Sequence, residues 1–526
     1  MSQLRSISRL TFINTCGVGI TILDSIVTSQ LFGTTVPMRN YLVAVTVLMI
    51  VQKIFMVGQF SDVFLPQYVK IRETQGLEKA DRCFSALYNH IMLLVAAAGV
   101  VFVLGAWWLA RLIAPGFSLE AQTQVAWFFI GLIPCVLLVV ANGHLQIVGN
   151  ARGWYGRFAF YGVLGNALGL VAMVATAKWA GVWSVVLSQD VTQLVMLVGS
   201  LRFLSRNGYR HAWILHESGF SIWGVTVRIG FTVIHVIATQ WYVIAFTAAL
   251  TYLPSSALAV YKYAESLYVK TGSLFMRPVS VVFFTDASVL AHHDPGKLRL
   301  RISHALYHYA LAFAIVIGVL FPAIPNLLGA LWGGANYSKD DIGQTIYYVL
   351  CLYGLLIIDA VGLIYRRLNI VIGDVLLQYL AMSAAQVVSA ILAPWIVSHL
   401  QVDGVPVVQA VNIVVLLLSA LVVHARRPQW QLAFFPWHTW KLVVAITPSL
   451  LMAWLVPLWL PWFRYTGDIS FSGKIIELAK GSLMAGLGLG LLVGGLTILK
   501  VEEARGAWRW LSIFLQQKWN GAKAVN

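Results

Sequence analysis

Apolar stretches long enough to cross a lipid bilayer recur along almost the whole chain, separated by short polar joins. The hydrocarbon core of a bilayer is about 30 Å thick, and an α-helix crosses it in about 20 residues. The pattern therefore predicts about fourteen membrane-spanning helices. They cover residues 10–31, 41–64, 84–113, 121–148, 158–177, 183–204, 225–250, 257–289, 304–331, 342–364, 370–396, 405–423, 442–460 and 475–499.

Composition agrees with this pattern and excludes other classes. Hydrophobic residues make up 59% of the 526 residues, charged residues make up 11%, and the mean hydropathy is +0.79. No soluble globular chain has these values. The net charge of +16 is not gathered into one basic patch, so nucleic acid is not an expected partner. The expected fold class is an all-α polytopic membrane protein.

The basic residues are concentrated in alternate joins between the predicted spans. One set of joins and termini holds about 24 lysines and arginines, and the other set holds about six. Positively charged joins stay in the cytoplasm, so both termini are predicted to be cytoplasmic. The final segment, 500–526, mixes tryptophans with basic residues and is expected to lie on the cytoplasmic leaflet as an amphipathic helix.

The eighth predicted span carries four charged residues inside a membrane-length apolar stretch: Lys262, Glu265, Lys270 and Arg277. At 100° per residue they project into an arc of about 140° on one side of a helix. Ionisable groups at bilayer depth are costly, so this face is predicted to line a transport path. Alternatively the span begins near Thr271, and the two lysines before it extend to the interface.

Other spans carry single charges. Asp24 in the first span is interpreted as a coupling site for Na⁺ or H⁺, as a counter-ion to Lys53, or as half of a structural pair. Lys53 either faces a cavity or extends to the interface. Asp190 and Asp359 are lone acids, each suited equally to proton relay or to a packing hydrogen bond. Neither paired cysteines nor histidines at metal-ligand spacing are present, so no metal or cofactor is expected.

Four motifs, taken in order, resemble the MurJ (MviN) family of lipid II flippases within the multidrug/oligosaccharidyl-lipid/polysaccharide (MOP) exporter superfamily. They are VGQFSDVFLP at 57–66, IAPGF at 113–117, Gly149-Asn150 with Arg157-Phe158 and Asn166, and Tyr263-Ala264-Glu265 with Leu267. The likeness covers roughly the first 300 residues. It implies two pseudosymmetric six-helix lobes, 1–207 and 208–423, and two further helices in 424–499. The lobes would rock by alternating access to move a lipid-linked sugar across the membrane.

The chain departs from the family pattern in its charges. A lipid II flippase of the usual kind has cavity arginines in its first, second and eighth spans and an acid that opens the second. Placed by the motifs, this chain has Asp24 where an arginine is expected and Arg39 where the acid is expected. Gln52 and Lys53 replace an arginine pair, and Ser266 replaces a further arginine.

A substitute positive cavity is nevertheless available, since a diphosphate needs cations and lysine serves as a point charge. The expected substrate-binding residues are Lys53, Lys262, Glu265, Lys270, Arg277 and Arg39, and Asp24 would couple an ion or balance charge. The leading hypothesis is a flippase of the bacterial inner membrane for an undecaprenyl-diphosphate-linked saccharide, the repeat unit of an exported polysaccharide. A polysaccharide polymerase or other envelope-assembly proteins would be its partners.

Three alternatives remain open from the residues. The first is transport of lipid II for peptidoglycan synthesis. The second is a drug or cation antiporter of the same superfamily, which would use Asp24 but would need acidic cavity walls. The third is a membrane glycosyltransferase or polymerase, which would need acids in a substantial external loop. All external joins are short, so the chain is not expected to be an enzyme.

Overall fold

The structure, a computed structural model, describes residues 2–54, 57–152, 154–254, 256–293, 295–426, 435–468 and 470–501, although a few side chains within these ranges are outside the description. The α-helices are α1 (Ser2–Phe32), α2 (Val36–Ile54), α3 (Val57–Gln75), α4 (Leu77–Leu104), α5 (Ala106–Ile113), α6 (Leu119–Ala151), α7 (Tyr155–Ala180), α8 (Trp183–Arg206), α9 (Ile222–Leu250), α10 (Ala257–His293), α11 (Pro295–Trp332), α12 (Lys339–Val371), α13 (Val375–Leu400), α14 (Gly404–Ala425), α15 (Trp440–Trp459) and α16 (Phe471–Ile498).

Every predicted span falls on these helices, and two of the spans are divided. The third crosses from α4 into α5 at Gly105, and the span at 370–396 crosses from the end of α12 into α13. The second span lies on α2 and α3, and its residues 55–56 are outside the described residues. Ten segments of the described residues are long and apolar enough to cross a membrane, and one of them, Val375–Ala425, contains both α13 and α14. The predicted all-α polytopic membrane fold is confirmed.

Local sequence explains where several helices begin. The Ser118 hydroxyl caps α6 by accepting a hydrogen bond from the Ala121 amide at 3.3 Å. Ser338 and Asp341 form a capping box at the start of α12. Within α6, Pro134 lies in the helix interior, where a proline cannot donate the usual backbone hydrogen bond.

The chain forms two compact units. The first contains Met1–Tyr263, Gly334–Tyr337 and Leu376–Leu416. In it α7 packs tightly on α8, because a Cβ added at Gly165 would lie only 2.5 Å from the Thr192 carbonyl oxygen. A buried aromatic group formed by Phe64, Phe84 and Phe220 joins α3, α4 and the segment that precedes α9.

The second unit contains Ala264–Gly333, Ser338–Val375 and Leu417–Asn526. In it α11 packs on α16, where a Cβ added at Gly488 would lie 2.3 Å from the Gly318 carbonyl oxygen. The division into lobes at 1–207, 208–423 and 424–499 stays a prediction. Beyond residue 501 the predicted amphipathic tail lies outside the described residues.

Candidate functional site

The charged residues predicted on the eighth span share one uninterrupted helix, α10, of 37 residues. Lys262, Glu265 and Lys270 are half-buried, and the Lys262 Nζ lies 5.5 Å from the centre of the neighbouring Tyr261 ring. The backbone of Arg277 is part of α10, but its side chain lies outside the described residues. That these side chains line one cavity stays a prediction.

Arg39 and Lys53 lie near the two ends of α2. The Arg39 guanidinium carbon is 4.0 Å from the centre of the Phe117 ring, and its Nε is buried without a hydrogen-bond partner among the described residues. Lys53 is half-buried in the last turn of the helix. Fourteen residues separate the two, which corresponds to about 21 Å along the helix axis. They would therefore contact a headgroup at different points along its path.

Asp24 lies on α1 among tyrosines. Tyr41 and Tyr263 are both within electrostatic range of its carboxylate, and a second acid, Asp190 of α8, is within range of Tyr41. One carboxylate oxygen of Asp190 is buried without a hydrogen-bond partner among the described residues. Both acids are thus within electrostatic range of one tyrosine. Sequence reasoning treated Asp190 as a lone acid, because α1 and α8 are far apart in the chain.

Asp359, the other acid predicted to be alone, belongs to a hydrogen-bonded group in the second unit. Its carboxylate accepts a hydrogen bond from Arg366 Nη2 at 3.0 Å and one from the Tyr268 hydroxyl at 3.1 Å. Arg366 is two helical turns further along α12, which places both residues on one face. The packing interpretation of Asp359 is therefore favoured over proton relay.

The turn between α1 and α2 makes a close contact with segment Gly334–Tyr337. It is named the outer contact here, after the side of the membrane on which the predicted topology would place it. The Thr34 amide donates to the Asn336 carbonyl at 2.8 Å, and the Asn336 side-chain amide donates to the Leu31 carbonyl at 2.8 Å. Gly33 has a φ of +49°, and a Cβ at this residue would lie 1.9 Å from the Asn336 carbonyl oxygen. Only glycine satisfies both the backbone conformation and the close approach.

The sequence profile described as "Lipid II flippase MurJ" matches residues 28–464 of the chain. The chain belongs to the MurJ family. The resemblance seen in the four motifs is confirmed, and it extends well beyond the first 300 residues.

Solved structures agree with this family fold. One of a lipid II flippase MurJ in an inward closed conformation is similar with a TM-score of 0.68 at 14% identity, covering 93% of this chain and 99% of that one. An inward-facing multidrug resistance transporter of the MATE family, within the MOP superfamily, is similar with a TM-score of 0.62 at 17% identity, covering 80% and 98%. A MOP superfamily transporter from Pyrococcus furiosus is similar with a TM-score of 0.55 at 17% identity, covering 80% and 93%.

This MurJ-family chain also has a buried ion pair that its sequence did not suggest. It is named the inner network here, after the side of the membrane on which the predicted topology would place it. Arg152, at the C-terminal cap of α6, places Nη2 2.5 Å from both carboxylate oxygens of Asp81. The Tyr68 hydroxyl donates to the same carboxylate at 2.6 Å. Asp81 is only 5% exposed, so its charge depends on these partners.

Residues 208–221, between α8 and α9, form a strap held against α4 of the first unit. The Glu217 carboxylate accepts from Lys79 Nζ at 2.5 Å and from Arg82 Nε at 2.9 Å. Further along α4, the Asn89 side chain contacts His211 Nε2 at 2.8 Å. Hydrogen bonds from Lys79 and Arg82 lower the pKa of Glu217 below its usual value. The strap therefore carries an acid that stays ionised under ordinary conditions.

Proposed function

We propose that this MurJ-family chain moves an undecaprenyl-diphosphate-linked saccharide across the bacterial inner membrane by alternating access. The headgroup is the repeat unit of an exported polysaccharide. Membership of a lipid flippase family and the polytopic helical fold support lipid transport. Such movement needs binding groups, a path and a conformational change, and it needs no covalent chemistry.

The observation that carries the headgroup assignment is the reversal of charge in the first two helices. Asp24 stands where the family pattern has an arginine, and Arg39 stands where it has an acid. Arg39 rests on Phe117 and keeps its Nε without a partner among the described residues. A guanidinium held on an aromatic ring directs its remaining donors to an anionic ligand. The saccharide bound here therefore differs from the usual one.

The other charged residues take complementary roles in this proposal. Positive charge for the moving diphosphate comes from Lys53, Lys262, Lys270 and Arg277. Glu265 offsets part of this charge, so that the diphosphate is not bound too tightly to be released. Asp24, with Asp190 also within electrostatic range of Tyr41, carries the coupling proton or sodium ion. Carboxylates inside a membrane protein are costly unless they serve such a purpose or are paired.

Lipid II is the second candidate substrate, because the matching family is described by that activity. The altered charges argue against it, since each buried polar group lost or reversed in a site disfavours the original ligand. The two candidates differ only in the saccharide, so the same transport path would serve either one.

The deciding experiment expresses the chain in a bacterium depleted of its lipid II flippase and, separately, in a strain lacking export of its surface polysaccharide. We expect polysaccharide export to be restored, with loss of this rescue in Arg39→Ala and Lys53→Ala. Arg111→Ala, which removes an exposed arginine of α5, is the matched control and should retain activity. Rescue of the depleted strain, lost in the same two variants, would instead assign lipid II.

Alternating access is tested at the outer contact. Thr34→Cys with Asn336→Cys, in a chain whose four native cysteines are replaced by serine, places two thiols where the backbones are joined by a 2.8 Å hydrogen bond. Oxidation should block transport, and a reductant should restore it. Each single cysteine variant is the control. Full transport with the cross-link formed would contradict the proposed opening at this contact.

A further inference from the structure

A groove runs between α7 and α8 on the first unit, toward the end where α8 finishes. It has a volume of about 480 Å³. Its lining is apolar along most of its length, where it includes Leu164, Leu194 and Val198, and cationic at one end, where it includes Arg202 and Arg206. None of the residues assigned above to substrate transport lines it.

The length of the groove along α8 is close to the hydrocarbon thickness of one leaflet of a bilayer. From Leu194 to Arg206 the wall contributed by α8 is twelve residues long, or about 18 Å. Half the hydrocarbon thickness of a membrane is about 15 Å. Leu194 is 51% exposed and Leu164 is 38% exposed, so both walls present apolar surface outward from the unit. In a membrane-spanning helix this surface meets acyl chains, not water.

Arginines surround the end of the groove. Arg202 and Arg206 are exposed and four residues apart, so they project from the same face of α8. Arg157, in the first turn of α7, holds its guanidinium carbon 5.8 Å from the centre of the Phe203 ring. Within the part of the chain that the structure describes, none of the three arginines has an acidic partner. Three guanidinium groups thus gather where the apolar groove ends.

We propose that this groove binds an anionic phospholipid of the cytoplasmic leaflet. One acyl chain lies against Leu164, Leu194 and Val198, and the phosphodiester is held by Arg202 and Arg206. Guanidinium groups bind phosphate oxygens in bidentate fashion. An anionic headgroup is preferred, because a zwitterionic headgroup carries its own cation next to the phosphate. The concentration of basic residues in this set of joins places the arginines on the anionic, cytoplasmic side. The proposal does not rest on the identity of the transported lipid.

The test is native mass spectrometry of the purified full chain titrated with palmitoyl-oleoyl phosphatidylglycerol or with the phosphatidylcholine of the same chains. We expect one phosphatidylglycerol to bind with preference. In the double variant Arg202→Gln, Arg206→Gln its affinity should fall about 30-fold, since each basic side chain near an anionic lipid contributes a factor of about five. Arg210→Gln removes an exposed arginine of the strap outside the groove and should bind as the unaltered chain does.

A second variant tests the apolar part with all charges kept. Val198→Phe fills the groove and should also weaken phosphatidylglycerol binding. Equal affinity in the unaltered chain, the double arginine variant and Val198→Phe would overturn the proposal. Binding of soluble glycerophosphoglycerol as tightly as the intact lipid would also overturn it, because the site would then be one for a free anion.

Discussion

The outer contact and the inner network show how differently the two ends of the first unit are held. The outer contact lies just before α2, whose Arg39 rests on Phe117 at the start of α6. The inner network includes Arg152 at the other end of α6, a helix of 33 residues and about 50 Å. The outer contact uses neutral backbone and amide groups around Gly33. The inner network uses a buried ion pair.

The difference matters for transport. A neutral hydrogen bond contributes about 1 kcal/mol to stability, so the few at the outer contact can break and re-form in every cycle. Removing one partner of a buried ion pair costs far more, because the other charge is left without compensation. The inner network is therefore suited to a permanent junction among α3, α4 and α6. The reversible step is expected at the outer contact.

The largest effect is expected from Arg152→Ala. Among the described residues it leaves the buried Asp81 carboxylate with only the Tyr68 hydroxyl, so the free energy of unfolding should fall by about 3 to 5 kcal/mol. Denaturant unfolding in detergent, followed by circular dichroism, measures the change. Arg210→Ala, at an exposed arginine of the strap, should stay within about 0.5 kcal/mol. Equal stability of the two variants would show that the inner network is not a fixed junction.

A smaller effect is expected from Gly33→Ala. A left-handed backbone and a close approach to Asn336 together should weaken the outer contact by about 2 to 3 kcal/mol. In whole cells, a membrane-impermeant maleimide should then label Tyr337→Cys, at a buried position of the same segment, faster. The matched control is Gly19→Ala on α1, where an added Cβ has no neighbour within 4 Å. Unchanged labelling in Gly33→Ala would mean that the contact does not limit access to this segment.

The smallest effect concerns the strap and pH. Because Glu217 has a lowered pKa in the folded protein, its stabilising contribution is fully present above the unfolded pKa of 4.5 and is lost as pH falls through the lower folded value. The protection of residues 208–221 against hydrogen exchange, taken relative to the intrinsic exchange rate at each pH, should therefore fall on acidification below pH 4.5. Glu217→Gln should exchange faster at neutral pH and lose that dependence, whereas Glu73→Gln, at an exposed acid, should behave like the unaltered chain. A pH response retained in Glu217→Gln would assign it to another group.

The hydrophobic pattern and the distribution of charge along the sequence alone predict most of the helices of the fold. Span length is fixed by bilayer thickness, so apolar stretches predict helices directly, and every predicted span falls on one helix or on two consecutive ones. What they missed are breaks inside apolar runs, such as the one at Gly105 between α4 and α5. A single glycine that ends one helix and begins another leaves the hydropathy unchanged.

Ion pairs between residues far apart in the chain were harder to predict from the sequence. Asp81 and Arg152 are 71 residues apart, and Glu217 is 138 residues from Lys79. The count of basic residues in each join explains Arg152 and Lys79 as residues that set the membrane orientation. Nothing in the local sequence indicates which acid each of them pairs with. The contact of Asp359 with Arg366 was within reach, since seven residues along a helix bring side chains to one face. The arrangement of Lys53 and the α10 charges stays a prediction.

Pro134 makes α6, the helix that runs between the outer contact and the inner network, easier to bend at one point along its length. A proline in a helix interior leaves one carbonyl of the preceding turn without its donor, so bending there costs less than elsewhere along the rod. Strain applied near Phe117 can be absorbed at this hinge before it reaches Arg152. Opening and closing at one end of the helix would then leave the junction at its other end undisturbed.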